Sequence, residues 1–281
     1  MSVEDIKGNS RQLRGTIADE LAADTTAFAD EANTTLLKFH GIYQQDDRDV
    51  RRQRAQAKLP LDYSCMVRAS VPGGRITADQ WLALDRLADV ADGTLRLTTR
   101  QGVQFHTVHK GDLHELVAGI NNADLTTLAA CGDVVRNIMA CPWPDHRQAI
   151  LGPLVDTLVR RFRPRTTAYW EVWVDGTRAV TAEPVLPTGV RTGGDGDPAG
   201  ILGTVYLPRK FKIGVAWPGD NCVDVLANDV GLVPTFDGDP DPGKVPTGYA
   251  IFVGGGMGMS HARPDDTYPR IASPLGWTEA R

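Results

Sequence analysis

The chain has 281 residues, 42% of them hydrophobic and 23% charged, enough for one large domain or two smaller ones with a sizeable core. A formal net charge of −5 and a pI near 5.7 give no global attraction to nucleic acid or to an anionic membrane, so an anion site must be a local cluster of Arg and Lys. The opening MSVEDIKGNSRQLRG lacks the apolar run of a secretory signal, no stretch of about 18 apolar residues is present to span a bilayer, and Cys65, Cys131, Cys141 and Cys222 form neither a CxxC pair nor a CxxCH haem-attachment motif, which suits reduced cytoplasmic thiols.

Residues 1–60 read as a polar, partly helical arm. RQLRGTIADELAAD (11–24) sets Leu13, Ile17 and Leu21 at helical spacing, a stripe too thin to stand alone. The run at 46–58 is dense in both charge signs, as a solvated helix or as a functional arm. Within 61–125 the pattern sharpens. SCMVRASV (64–71) predicts a strand ending at Pro72-Gly73-Gly74. Thr77 can cap a helix carrying Trp81, Leu84, Leu87 and Ala88 on one face. TLRLTTR (94–100) alternates as a strand, VQFHTV (103–108) follows as its hairpin partner, and DLHELVAGINN (112–122) is a second helix. Strand, helix, strand, strand, helix predicts an α+β fold of ferredoxin-like type. Residues 126–281 form a second, larger α+β unit. It has an amphipathic helix at 146–162 and strands at 169–175, 211–218 and 249–255, separated by acidic Gly/Pro loops at 191–200 and 236–244.

The chemistry lies in positive charges on predicted strands. Arg68 stands mid-strand among apolar neighbours. Arg96 and Arg100 project from one strand face with Thr98 between them, and Gln104 and His106 share a face of the next strand. A hairpin can make these faces continuous. Arginine is seldom buried unpaired, so the platform calls either for carboxylates such as Asp85, Asp89 or Asp92, or for a polyanion laid over it. GDVVRN (132–137) adds Arg136, and LPRKFK (207–212) adds Arg209, Lys210 and Lys212, with the two lysines on one side of a strand. Forked guanidinium donors suit carboxylates, and lysines supply mobile charge and protons. A solvated edge strand competes with that reading. GGGMGMSH (254–261) could form an anion nest or a tight structural turn, and it matches no nucleotide-loop spacing.

At LLKFHGIYQQDDRD (36–49), VPGG (71–74), LRLTTRQGVQFH (95–106), TLAACGDVVRN (127–137), AYWEVWVDG (168–176), YLPRKFKIGVAWPGDNCVDV (206–225) and VGGGMGMSH (253–261) the chain resembles the sulfite reductase haemoprotein family and its nitrite reductase relatives. The resemblance implies a ferredoxin-like half-domain (61–125) followed by a sirohaem-reductase domain (126–281). It implies sirohaem, a polycarboxylate iron tetrapyrrole, coupled to a [4Fe–4S] cluster, and six-electron reduction of sulfite to sulfide. Carried over by motif, Arg68, Arg136, Lys210 and Lys212 would bind sulfite. Arg96, Thr98, Arg100, Gln104, His106 and Arg209 would hold or surround sirohaem carboxylates.

The chain runs to PLGWTEAR (274–281), near where the family's first half ends, so the half carrying the cluster cysteines is expected to be missing. The family's ligands are two spaced cysteine pairs. Here Cys131 and Cys141 stand apart, and Cys65 and Cys222 are remote, so no protein-bound metal or cluster is expected on this chain. Val135 replaces the family's usual Asn, the usual QFHG ends in Thr107, and HARPDD (261–266) replaces a more basic stretch. The expected function is the N-terminal half of an assimilatory sulfite reductase in the cytoplasm. It would work with a C-terminal half or a second copy of itself and be fed by a ferredoxin or flavoprotein, since no flavin or nicotinamide motif is present. The alternatives are a truncated paralogue that binds a tetrapyrrole or oxyanion without turnover, the equivalent half of a nitrite reductase, and a decayed reading frame.

Overall fold

The computed structural model describes residues 1–164, 166, 171–174, 177–181, 202–203, 205–259 and 264–280. The expected loop at 191–200, the ends of the strand at 169–175 and residues 260–263 of the glycine loop and the HARPDD segment lie outside the described residues. Contacts divide the chain into two units. One is Met1–Val71, Ile76–Val134 and Phe162–Lys210, and the other is Pro72–Arg75, Val135–Arg161 and Phe211–Arg281.

The first unit is built on an antiparallel sheet in the order β1-β2-β4-β3, where β1 is Ile42–Asp46, β2 Tyr63–Ala69, β3 Arg96–Leu97 and β4 Val103–Val108. Two helices join it, α5 (Ala78–Leu87) and α6 (Leu113–Asn122). Thr77 starts α5 through a capping box, its hydroxyl accepting from Gln80 N while the Gln80 side chain accepts from Thr77 N. Val67, Ala69, Val103 and Phe105 from the sheet, Leu84 from α5 and Leu116 and Ile120 from α6 form one core. Phe28, Leu37 and Ile42, from the first 60 residues, belong to the same core.

Four shorter helices precede β2: α1 (Val3–Gly8), α2 (Ile17–Ala22), α3 (Glu31–Leu37) and α4 (Arg48–Gln56). The helix expected over 11–24 shrinks to α2. Arg11, Gln12 and Leu13 take left-handed conformations, and the Ser10 hydroxyl accepts from Leu13 N while the Ser10 carbonyl accepts from Gly15 N, closing a turn instead. Leu13 is nevertheless fully buried, whereas Leu21 is exposed. The charged run at 46–58 is a solvated helix, because α4 buries no residue and Arg51 pairs with Asp46 at 2.5 Å. A two-stranded ribbon, β6 (Glu171–Val174) with β7 (Thr177–Thr181), completes this unit.

The second unit carries a mixed sheet in the order β11-β10-β9-β8-β5, with β5 at Met139–Ala140, β8 at Ile213–Val215, β9 at Val230–Thr235, β10 at Gly248–Val253 and β11 at Ser273–Glu279. β5, β8 and β9 run parallel, while β10 and β11 return antiparallel. α7 (Gln148–Phe162) buries Leu151, Val155 and Val159 and tolerates Pro153 within it. No helix among the described residues is long and apolar enough to cross a membrane.

Candidate functional site

The pleat of the first sheet sorts its residues by chemistry. Val67, Ala69, Val103 and Phe105 face the core, so Arg68, Gln104 and His106 must face the other way. Pairing sets Arg68 opposite Gln104 and Gln104 opposite Arg96, one row across three strands. With the Gln104 amide turned so that its oxygen faces Arg68, that oxygen accepts from Arg68 Nε at 2.8 Å and Nη2 at 2.5 Å, and the amide nitrogen donates to His106 Nε2 at 3.2 Å. Arg68 Nη1 donates to Ala130 O at 3.2 Å and to Cys131 Sγ at 2.8 Å. The guanidinium is thus aimed by neutral groups. Cys131 as a rest for Arg68 carried no sequence signal, because the two meet only through the fold.

Two of the expected platform residues sit elsewhere. The strand expected over 94–100 ends at Leu97. Thr98 N donates to Gly102 O and Thr98 Oγ1 accepts from Gly102 N, while Gln101 takes a positive φ of 57°. This turn chemistry replaces the ladder, so Thr98 and Arg100 lie in the hairpin connection rather than on the strand face with Arg96. The Arg96 side chain is exposed and makes no hydrogen bond or ion pair among the described residues. Its charge acts on Asp92: burial pushes that carboxyl up, but bonds from Thr94 and the charge of Arg96 prevail and hold it below its ordinary value. Burial first, then Arg96 and Arg68, hold His106 below the ordinary imidazole value against the opposing pull of Asp92. His106 is therefore a neutral acceptor for the Gln104 amide.

The remaining cations divide between the units. Arg209 and Lys210 are exposed on the segment that ends the first unit, and Arg209 Nε donates to Lys210 O at 3.4 Å. In the second unit an isolated parallel bridge joins Val135 to Phe211, and Arg136 N donates to Phe211 O at 2.8 Å. That bridge sets Arg136 and Lys212 on neighbouring segments. Asp229 Oδ2 accepts from Lys212 N at 2.8 Å. Lys210 and Lys212 both precede β8, which begins at Ile213, so no strand sets them on one side. The start of the glycine loop, Gly254–Gly256, is tied into the fold. Gly254 N and Gly256 N donate to Asp229 O and Arg270 O, and a Cβ at Gly255 would lie 2.2 Å from Leu226 O. Those two amides are engaged within the fold, so they are not offered to an anion.

The row Arg68, Gln104, Arg96 with His106 fits the carboxylate rim of a tetrapyrrole, because it offers oriented cationic donors in a partly exposed setting. In the second unit Cys141, Asp220 and Cys222 bring their ligand atoms within 4.8 Å of one another. Cys222, remote in sequence, is thus adjacent to Cys141. Two thiols and a carboxylate do not fit a [4Fe–4S] cluster held by four thiolates.

Two family models match the chain: the nitrite/sulfite reductase ferredoxin-like half domain over residues 61–123 and the nitrite and sulphite reductase 4Fe-4S domain over 155–279. The chain belongs to the nitrite and sulfite reductase family. It is 43% identical over 278 residues to the sulfite reductase (NADPH) hemoprotein beta-component of Staphylococcus saprophyticus, a match covering 98% of this chain and 46% of that protein. The corresponding protein of Xylella fastidiosa strain M12 is 44% identical over 279 residues, covering 98% and 46%. The chain is therefore a homologue of the sulfite reductase hemoprotein beta-component, and it spans about half the length of the curated relatives it matches. The structure of the Mycobacterium tuberculosis NirA protein shares the fold, with a TM-score of 0.64 at 19% identity over 98% of this chain and 43% of that one.

Proposed function

We propose that this chain is the N-terminal, sirohaem-embracing portion of an assimilatory sulfite reductase that reduces sulfite to sulfide in the cytoplasm. In this reading an arm (1–60) precedes the half-domain (61–125) and the reductase domain (126–281). The observation that carries the reading is the cross-strand row of Arg68, Gln104 and Arg96 with His106 beside it, in which Gln104 orients Arg68 and Arg96 stands exposed. Arg96, Thr98, Arg100, Gln104, His106 and Arg209 hold carboxylates of the macrocycle. Arg68, Arg136, Lys210 and Lys212 bind the sulfite dianion, neutralise its charge and draw electron density from its S–O bonds, and the lysine ammonium groups deliver protons as oxygen leaves as water. Sirohaem, when bound, supplies the iron centre for the electron chemistry. A separate portion bearing the cluster cysteines, and a ferredoxin or flavoprotein donor, complete the system. The relatives' sulfite reductase name supports sulfite over nitrite.

The test is a sirohaem titration followed by visible absorbance, with the chain alone and with a separately expressed cluster-bearing portion of a relative. Saturable one-to-one binding is expected in at least one arm. Arg96→Glu should weaken it by about tenfold or more, since it reverses a charge facing a carboxylate. Sirohaem uptake in neither arm, or equal uptake by Arg96→Glu, overturns the proposal.

A further inference from the structure

The two cysteines gathered in the second unit lie outside the proposed sirohaem and sulfite machinery. Cys222 Sγ donates to Cys141 Sγ at 3.3 Å, and Cys141 Sγ donates to Asp220 Oδ2 at 3.2 Å. Cys141 is fully buried, whereas Cys222 is exposed. We propose that Cys141 and Cys222 form a reversible disulfide site, closed and opened by exchange with a small disulfide of the glutathione type.

The geometry assigns each group a role. Both cysteine backbones are anchored: Cys141 N donates to Val215 O, Gln148 Nε2 donates to Cys141 O, and Cys222 N donates to Asp220 Oδ1. The sulfurs need to approach by only about 1 Å to reach bonding distance. Asp220 is held ionised: bonds from Cys141 and Cys222 lower its carboxyl below the ordinary value against burial, and Arg147 Nη1 lies 3.4 Å from Oδ2. Arg147 also pairs with Asp145 at 2.7 Å, so the charges facing the sulfurs are one guanidinium and two carboxylates. Burial first, then the Cys141 and Asp220 bonds, push the Cys222 thiol up to about 12. The pair therefore rests as a dithiol, with only a small thiolate fraction attacking at neutral pH.

Exchange then proceeds in two balanced steps. The exposed Cys222, as its thiolate, attacks one sulfur of the small disulfide. That S–S bond breaks, and one thiol is released carrying the proton Cys222 gave up. Cys141 next attacks Cys222 Sγ in the mixed disulfide, passing its proton to Asp220 Oδ2, and the second small thiolate leaves and takes that proton. The protein loses two electrons as one disulfide forms, and the small disulfide gains two as it becomes two thiols. The bond would staple the segment after β5 to the segment after β8, which are parallel neighbours with Ala140 opposite Val215. This inference is independent of sirohaem binding, so either can fail without the other.

The full chain is equilibrated across glutathione redox ratios, quenched in acid, denatured, alkylated and mapped by peptide mass spectrometry. The expected result is loss of two of the four thiols with a Cys141–Cys222 linked peptide, reversal by reduced glutathione, and alkylatable Cys65 and Cys131 throughout. Cys222→Ser, at an exposed position, should leave Cys141 fully alkylated. Asp220→Asn should slow the closing step by about tenfold, so that the glutathione adduct of Cys222 accumulates. Four persistent thiols in oxidising buffer, a linkage through Cys65 or Cys131, an adduct that never closes in the unsubstituted chain, or a pair that takes up zinc and resists oxidation would overturn the proposal.

Discussion

Arg68 and Gln104 provide a contact whose energy can be isolated. The guanidinium gives two bonds to one amide oxygen, at 2.8 and 2.5 Å, and both residues are half-buried. A hydrogen bond from a charged donor is worth about 1.5–3 kcal/mol when buried; half-burial reduces the expected coupling here to about 1–2 kcal/mol. Arg68→Ala alone should cost more, about 2–3 kcal/mol, because it also removes the Arg68 bonds to Ala130 O and Cys131 Sγ. Gln104→Ala alone should cost about 1–2 kcal/mol. Urea unfolding of the parent, both single variants and the double variant closes the cycle. Single effects that add to within about 0.5 kcal/mol would mean that the two side chains do not act on each other, and the row of donors would lose its centre. Gln104→Glu sharpens the test: a carboxylate would grip Arg68 but could no longer donate to His106 and would repel an arriving carboxylate ligand.

Other outcomes follow from neighbouring residues. Gly41 has φ of 76°, and a Cβ there would lie 2.4 Å from Thr127 O and 2.7 Å from Arg68 O, so Gly41→Ala should destabilise the first unit by more than about 2 kcal/mol and give little soluble protein. His40 is buried against Leu13 O and its imidazole is held below the ordinary value mainly by burial. A base whose folded pKa is depressed contributes stability that is full above its unfolded value and is lost as pH falls. Unfolding free energy should therefore drop below about pH 6.5, by at most ~1.4 kcal/mol per pH unit, and His40→Gln should flatten that slope. His106 should titrate below the ordinary imidazole range by NMR and shift upward when a carboxylate ligand docks; an unchanged titration with ligand bound would remove it from the site. Phe105→Ala, at a side chain with no exposure in the main core, should cost about 3–5 kcal/mol.

The legible parts of the sequence were those with local causes. α5 follows from a Thr77 cap above an apolar stripe, and β4 follows from the alternation of Val103 and Phe105 with Gln104 and His106, which breaks only at Thr107 (φ 58°) before the buried Val108. β1 was illegible because IYQQD offers a single buried residue, Ile42, and exists as a strand only by pairing with β2. β3 was overextended because Thr98 and Arg100 keep the alternation while a five-residue turn takes over their backbone. β9 and β11 escaped for related reasons: VGLVPT contains a Pro and SPLGWTE both a Pro and a Gly, and long-range pairing overrides both. Cys141 and Cys222 meet because β5 and β8 are parallel neighbours, a pairing that no short-range spacing encodes.

Two kinds of arginine setting stand out among the described residues. Arg51, Arg75 and Arg147 each meet a carboxylate, Asp46, Asp156 and Asp145, at 2.5, 2.8 and 2.7 Å, so their charges are spent inside the fold. Arg68 is half-buried, and its partners are a carbonyl, a thiol and an amide. Such groups orient a guanidinium without cancelling it. Burying a cation that way carries a desolvation cost which an internal carboxylate would have offset, and Arg96, one position along the row, adds a second positive charge that acts on Asp92 and His106. A chain with net charge −5 has acids enough to neutralise both. Among the described residues only Asp92 answers these two cations, and this is the charge surplus on which the proposed anion site rests.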